Sequence, residues 1–302
     1  MRISPIPVRM LCAALLVAVL PGCGNLAGVR QFAGTASEIA AYKDLTHRYV
    51  TIEDRLIGAM PVSQAGDRKD LEEKGNILKA RLEPLNKLHD VITGYMAALA
   101  SLADTDAYSV SGDIDNVSGA INAIPELGLN ADHVNAFGDI SKVVSSWIRT
   151  ARQTKDVKAM VIAHGRSMDV LLEGMSLVLE NYEIAFENEN RLTRSWYTTS
   201  RSFWEGSDMD ELPNVGVKTA ELLRGRRELV LLVGDRSNAV IVAEQDRVDK
   251  SLKAAQQAIK RIRAGHQEMR DRIDAVSSDQ MKEFLLKSAA DLKTLKAAMK
   301  AL

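Results

Sequence analysis

Aliphatic residues return every seven positions at Leu71, Leu78, Leu85, Ile92 and Leu99, and Leu88, Tyr95 and Leu102 occupy the companion position three residues further on. Seven residues make two helical turns, so this spacing draws one apolar stripe along a helix, whereas a strand would alternate every second residue. The same 3–4 alternation runs through Val161, His164, Met168, Leu171, Met175, Val178, Tyr182, Ala185 and Leu192. It returns at Val248, Leu252, Ala255, Ile259, Ile262, His266, Met269, Ile273 and Val276. A helix over 157–192 is roughly 54 Å long at 1.5 Å per residue. Stripes of this length are covered only by other helices lying alongside. The spacing therefore predicts an all-α fold: an elongated antiparallel up-and-down helical bundle with coiled-coil-like packing, built on four long rods.

Local signals divide the chain. Tyr42, Leu45, Tyr49, Ile52 and Leu56 mark a helical region ending near Gly58, and Met60 to Gly66 reads as a loop. Pro84 interrupts the heptad run and should kink the helix or open its second half. Ser109 to Asp113 reads as a loop, and Ile114, Val117, Ile121 and Ile124 predict a short helix stopped by Pro125. Asn130 or Asp132 is placed to cap the next one, which carries Val134, Phe137, Ile140, Val144 and Trp147. A linker is predicted at 206–216. Ser277 and Ser278 are placed to cap a last helix through Met281, Leu285, Leu292, Leu295 and Met299.

The N-terminus has a different character. Arg2 and Arg9 precede the apolar run MLCAALLVAVL over 10–20, which is too short to span a bilayer and has the layout of an export signal. It ends Leu20-Pro21-Gly22-Cys23, with Leu three places before the Cys and a small residue directly before it. This ending resembles the lipobox of bacterial lipoproteins, with Pro21 where that class usually carries a small or β-branched residue. The resemblance covers the first 24 residues. It implies that residues 1–22 are a cleaved signal peptide and that Cys23 is the lipid attachment site. It also implies that residues 23–28 form a lipidated tether to a single helical domain over 29–302. Gly24, where an Asp would signal retention, implies the outer membrane, facing the periplasm. An ordinary secretory signal and an uncleaved anchor are the competing readings of the same stretch.

Composition excludes several functions. The chain has 39 basic and 40 acidic side chains, and loss of Arg2 and Arg9 with the signal leaves 37 against 40. That balance gives no electrostatic footprint for nucleic acid. Cys12 leaves with the signal, so a mature chain holds neither a disulfide nor a thiolate metal site. None of the five histidines stands in an HExxH or ExxH arrangement. His164 and His266 sit on apolar seams and read as core histidines with polar partners. Glu180, Glu183 and Glu187, with Glu189 nearby, read as a solvated face. No motif for phosphate, dinucleotide or nucleophilic chemistry is present. No metal, no cofactor and no enzymatic activity are expected.

Two features point to surfaces rather than chemistry. The segment RSWYTTSRSFW brings together Arg194, Trp196, Tyr197, Arg201, Phe203 and Trp204. Trp196, Phe203 and Trp204 share a helix face, where they either plug the end of the bundle or form a patch that docks a protein partner. The other feature is the pair of apolar runs within 229–243, flanking Gly234-Asp235-Arg236-Ser237-Asn238. As a helix it buries Leu223, Val230, Val233, Val240 and Ile241. As a hairpin it resembles, in architecture alone, the membrane-touching tongue of helical pore-forming toxins such as the cytolysin A family. Two readings follow: a membrane-anchored, non-enzymatic interaction module, or a membrane-active helical protein using 229–243.

Overall fold

The computed structural model describes residues 26–39, 42–104, 121–150, 157–206 and 217–299. These residues are all-helical, with one isolated β-bridge between Ile124 and Leu129. The helices are α1 (Ala27–Ser37), α2 (Tyr42–Val50), α3 (Ile52–Ala59), α4 (Arg68–Lys79), α5 (Leu82–Leu102), α6 (Ala131–Thr150), α7 (Val157–Gly206), α8 (Val217–Asp271) and α9 (Asp279–Met299). Two of these are long rods, α7 of 50 residues and α8 of 55. The remaining helices are shorter, so the four-rod expectation is corrected to two rods and a set of short helices. The expected signal peptide and Cys23 lie outside the described residues. Helix α1 begins at Ala27, and its Gly28 already lies against α9, where a Cβ would come within 2.9 Å of the Lys282 Cα.

Pro84 starts the second half of the heptad run. It sits in the first turn of α5, where a missing N–H costs nothing. The break falls between Lys79 and Leu82, and the stripe continues across it, with Leu71 and Leu78 half-buried and Leu85 to Leu102 buried. Met60 to Gly66 contains a 3₁₀ helix over Val62–Asp67 rather than open loop. The expected short helix ending at Pro125 is corrected at its described end, while residues 109–120 lie outside the described residues. Ile121 is not helical, and Ile124 is extended and exchanges backbone hydrogen bonds with Leu129. The chain reverses at Gly128, whose φ of 78° suits glycine. Asn130 caps α6, its side-chain oxygen accepting from the backbone N–H groups of Asp132 and His133. Ser278 caps α9 by accepting from Met281 N–H.

Side-chain pairings fix α7 and α8 as antiparallel neighbours. Lys158 meets Asp274 just past the end of α8, Glu173 meets Arg263, Glu183 meets Gln256, and Tyr197 meets Asp235. Around them, α6 packs on α7, α9 on α8, α1 on α9, α5 on α1 and α6 on α5, which closes a ring of helices around one core. Gly265 marks the tightest point of that ring. Its missing side chain makes room for Phe32, whose ring would lie 2.4 Å from an added Cβ.

The ring covers only part of the rods. Helix α9 ends at the level of Ser251, whose hydroxyl donates to the Met299 carbonyl. Helix α6 starts beside Gly174. Past those levels α8 has α7 as its principal neighbour among the described residues, and α7 is flanked by α2 and α3. The rods therefore continue out of the closed bundle as a two-helix arm.

Candidate functional site

The outward half of α7 and the chain from Leu56 to Lys74 enclose a groove of about 770 Å³. One wall is α7, contributing Leu192, Trp196, Phe203 and Trp204 with the hydroxyls of Ser195, Thr199 and Ser200. The other is the end of α3, the 3₁₀ turn and α4, contributing Leu56, Met60, Pro61 and Leu71 with Gln64, Asp67, Asp70 and Lys74. Trp196 is half-buried and packs on the core, and Phe203 remains 55% exposed. Phe203 and Trp204 meet edge to face at 5.8 Å between ring centroids. An apolar, aromatic trough with polar groups along its rims suits an amphipathic occupant better than a small polar one.

The six residues of the aromatic segment divide between different faces of α7. Trp196, Phe203 and Trp204 line the groove. Tyr197 and Arg201 point to α8: Tyr197 Oη donates to Asp235 Oδ1 at 2.5 Å, and Arg201 donates to both Tyr197 Oη and Asp235. The bonds from Arg201 and Tyr197 hold the Asp235 carboxyl below the usual carboxylate range. These two residues clamp the arm together. Arg194 is exposed on a separate shallow surface with Glu187 and Asn190. The missing partners were the residues of the second wall, which lie more than a hundred positions away and carry no distinguishing pattern of their own.

Between bundle and arm lies a charged junction that the sequence reading misassigned. Glu180 and Glu187 are exposed and Glu183 accepts from Gln256, but Glu189 is 4% exposed. Arg55 donates to both its oxygens, at 2.7 and 2.9 Å. Arg48 approaches at 3.8 Å, pairs also with Glu244 on α8, and lies over the Phe186 ring. At the period of the acidic stripe Glu189 looks solvated. The short helices α2 and α3, folded back onto α7, bury it and supply its cations.

Two polar chains cross the bundle core. Tyr182 Oη donates to Thr46 Oγ1, which lies 2.9 Å from His89 Nε2. Tyr95 Oη lies 3.2 Å from His266 Nε2, and His266 Nδ1 lies 2.7 Å from Asp169, itself paired with Arg270. Burial pushes His89 down to about 3 and His266 down to about 4, with Asp271 pulling the latter weakly upward. Burial likewise raises Tyr95. An Asp–His–Tyr row has the order of a proton relay, and its Tyr95 end is wholly buried. His164 pairs separately with Asp139. Among the described residues no group of His, Cys, Asp or Glu could hold a metal ion.

The expected interior position of 229–243 is corrected in part. The segment is helical, as one of the two readings held, but Val230, Val233 and Val240 are exposed. Ile241 is half-buried, and the Leu223 side chain lies outside the described residues. Among the described residues α7 is its principal neighbour, so this stretch of α8 covers one face and leaves most of the other bare. Among the described residues no helix is long and apolar enough to cross a membrane.

Compared with family models, curated proteins and solved structures, the chain matches none of them.

Proposed function

We propose that the protein is a bacterial lipoprotein, acylated at Cys23 and held at the outer membrane facing the periplasm. In this reading it is a non-enzymatic, up-and-down helical bundle that presents the groove on its arm to a protein partner. The observation carrying this reading is the placement of Trp196, Phe203 and Trp204 in an open trough on the arm instead of inside the bundle. Rings of this size left at a surface are the usual anchors of a docked segment. The lipid reading rests on the Leu20-to-Cys23 ending and the apolar run before it.

Geometry supports a spacer role. Phe32, close to the start of α1, lies against Gly265, and His266 beside it lies against Gly165. Trp196 to Phe203 are 31 to 38 residues further along α7, roughly 50 Å away at 1.5 Å per residue. A tether at the N-terminal end thus places the groove at the far end of the rods from the acylated residue.

A photo-crosslinking residue at Thr199, in cells making the full chain, tests both parts. The expected result is a discrete protein adduct that disappears with Phe203→Ala/Trp204→Ala and, through loss of the tether, weakens with Cys23→Ser. Adducts unchanged by the aromatic variant would overturn the groove. Unchanged fractionation of Cys23→Ser with the membrane would overturn the tether.

A further inference from the structure

The back of the arm carries a second surface, independent of the groove. Leu222, Leu229, Val233 and Val240 of α8 are all exposed. At 3.6 residues per turn they fall within about 40° of one another, on the side of α8 facing away from α7. Leu232, 64% exposed, and Val230 widen the apolar arc on either side to roughly 160°. Arg226, Arg236 and Arg247 lie within the same arc, are exposed, and form no ion pair among the described residues. The one described acid within it, Glu244, is taken by Arg48.

Charge and shape together select the occupant. A second copy packed through this face in antiparallel register about residue 231 sets Leu229 against Val233, and also Arg226 in the same layer as Arg236. A parallel register sets each arginine against itself. Either arrangement gathers cations in a desolvated contact, so the face requires an anionic counterpart. A single acidic helix covers a seam narrower than this arc. The surface is a convex ridge of Leu and Val without the Trp and Tyr that anchor protein contacts. Aliphatic side chains with interleaved arginines on one helix face are the composition of a helix lying in the headgroup layer. We propose that the α8 ridge from Leu222 to Arg247 is a peripheral binding surface for anionic phospholipid bilayers, with the aliphatic side chains entering the acyl boundary and the guanidinium groups on phosphates. This contact is distinct from the lipid at Cys23.

The test uses the full chain with Cys12→Ser and Cys23→Ser, carrying Ser237→Cys on the ridge labelled with a polarity-sensitive fluorophore. Vesicles of phosphatidylcholine mixed with phosphatidylglycerol are expected to shift the emission to the blue, and phosphatidylcholine alone to leave it unchanged. Arg226→Glu/Arg236→Glu should weaken the response by roughly tenfold or more, as should raising salt, because each basic side chain contributes independently near a charged surface. Leu229→Ser/Val233→Ser should abolish it with helicity intact. Four results overturn the proposal: no shift, an equal shift on neutral vesicles, insensitivity to the arginine variant, or a shift that grows with protein concentration without vesicles. The last identifies the face as a contact between copies of the chain.

Discussion

The inner and outer halves of the two rods are made from similar residues and end in opposite circumstances. Between Val248 and Met269, α8 buries Leu252, Ala255, Ile259 and Ile262, with α7 and α9 packed along it. Between Leu222 and Val240 it carries as many aliphatic side chains and leaves most of them in water. What separates the two is the number of neighbours. Apolar periodicity states that a helix has a face to cover, and the lengths of the other helices decide whether it is covered. A stretch that keeps its apolar face after its neighbours have ended is a surface for something outside the chain.

The contrast has a pH signature confined to the inner half. His89 and His266 are buried as neutral rings, with values pushed to about 3 and about 4 against an ordinary 6.5. The unfolded chain therefore binds more protons below pH 6.5, and the stability these rings contribute is full above that value and falls as pH drops toward their folded values. At pH 5, which lies below the ordinary value of both rings and above both folded values, the loss is on the order of a few kcal/mol. Chemical denaturation at pH 7 and pH 5 should show it. A His89→Gln/His266→Gln chain should be less stable at pH 7 but much flatter with pH, and an equally steep profile would place the titration elsewhere.

A smaller effect is expected at the join. Glu189→Gln keeps the shape of the side chain, strands Arg55 and leaves the largely covered Arg48 with Glu244 alone. Both are partly solvated, so the loss should be about 2 kcal/mol rather than the 3–5 kcal/mol of a fully buried pair. Amide exchange should quicken around Glu244 before it changes around Ile259. Loss of protection everywhere at once would mean that bundle and arm melt as a single unit.

The least effect belongs to the outer ridge. Leu232→Ser removes an aliphatic side chain that touches little, and the free energy of unfolding should change by no more than about 0.5 kcal/mol. A loss near 2 kcal/mol would show that the ridge is covered in solution and would erase the distinction drawn between the two halves.

These differences explain what could be read beforehand. The heptad run through Leu85, Ile92 and Leu99 gave helix type and buried face correctly, because a period constrains both. The caps were legible as a choice between Asn130 and Asp132 and at the pair Ser277 and Ser278, because such side-chain chemistry acts within three residues, and Asn130 and Ser278 fill the places. Glu189 and Val240 were misplaced for a common reason. Whether α2 and α3 fold back over a carboxylate, or α9 stops at Ser251, depends on chain tens to hundreds of residues away. Ile124 failed locally, since Pro125 and Gly128 favour a tight reversal that overrides the helical spacing of the isoleucines. The aromatic segment was recognisable as a cluster, yet its division into groove lining and clamp follows from the placement of Asp235 and of Leu56 to Lys74.

The seat of α1 carries a consequence for the order in which the molecule assembles. Its neighbours are α5 and α9, and Glu38 is joined to Lys296 across 258 positions of sequence. Helix α1 therefore finds half its docking site only once α9 has been synthesised. Contacts this remote close slowly. A chain built so keeps the apolar face of α1, with Val29 and Phe32, half uncovered until its C-terminal helix has been made.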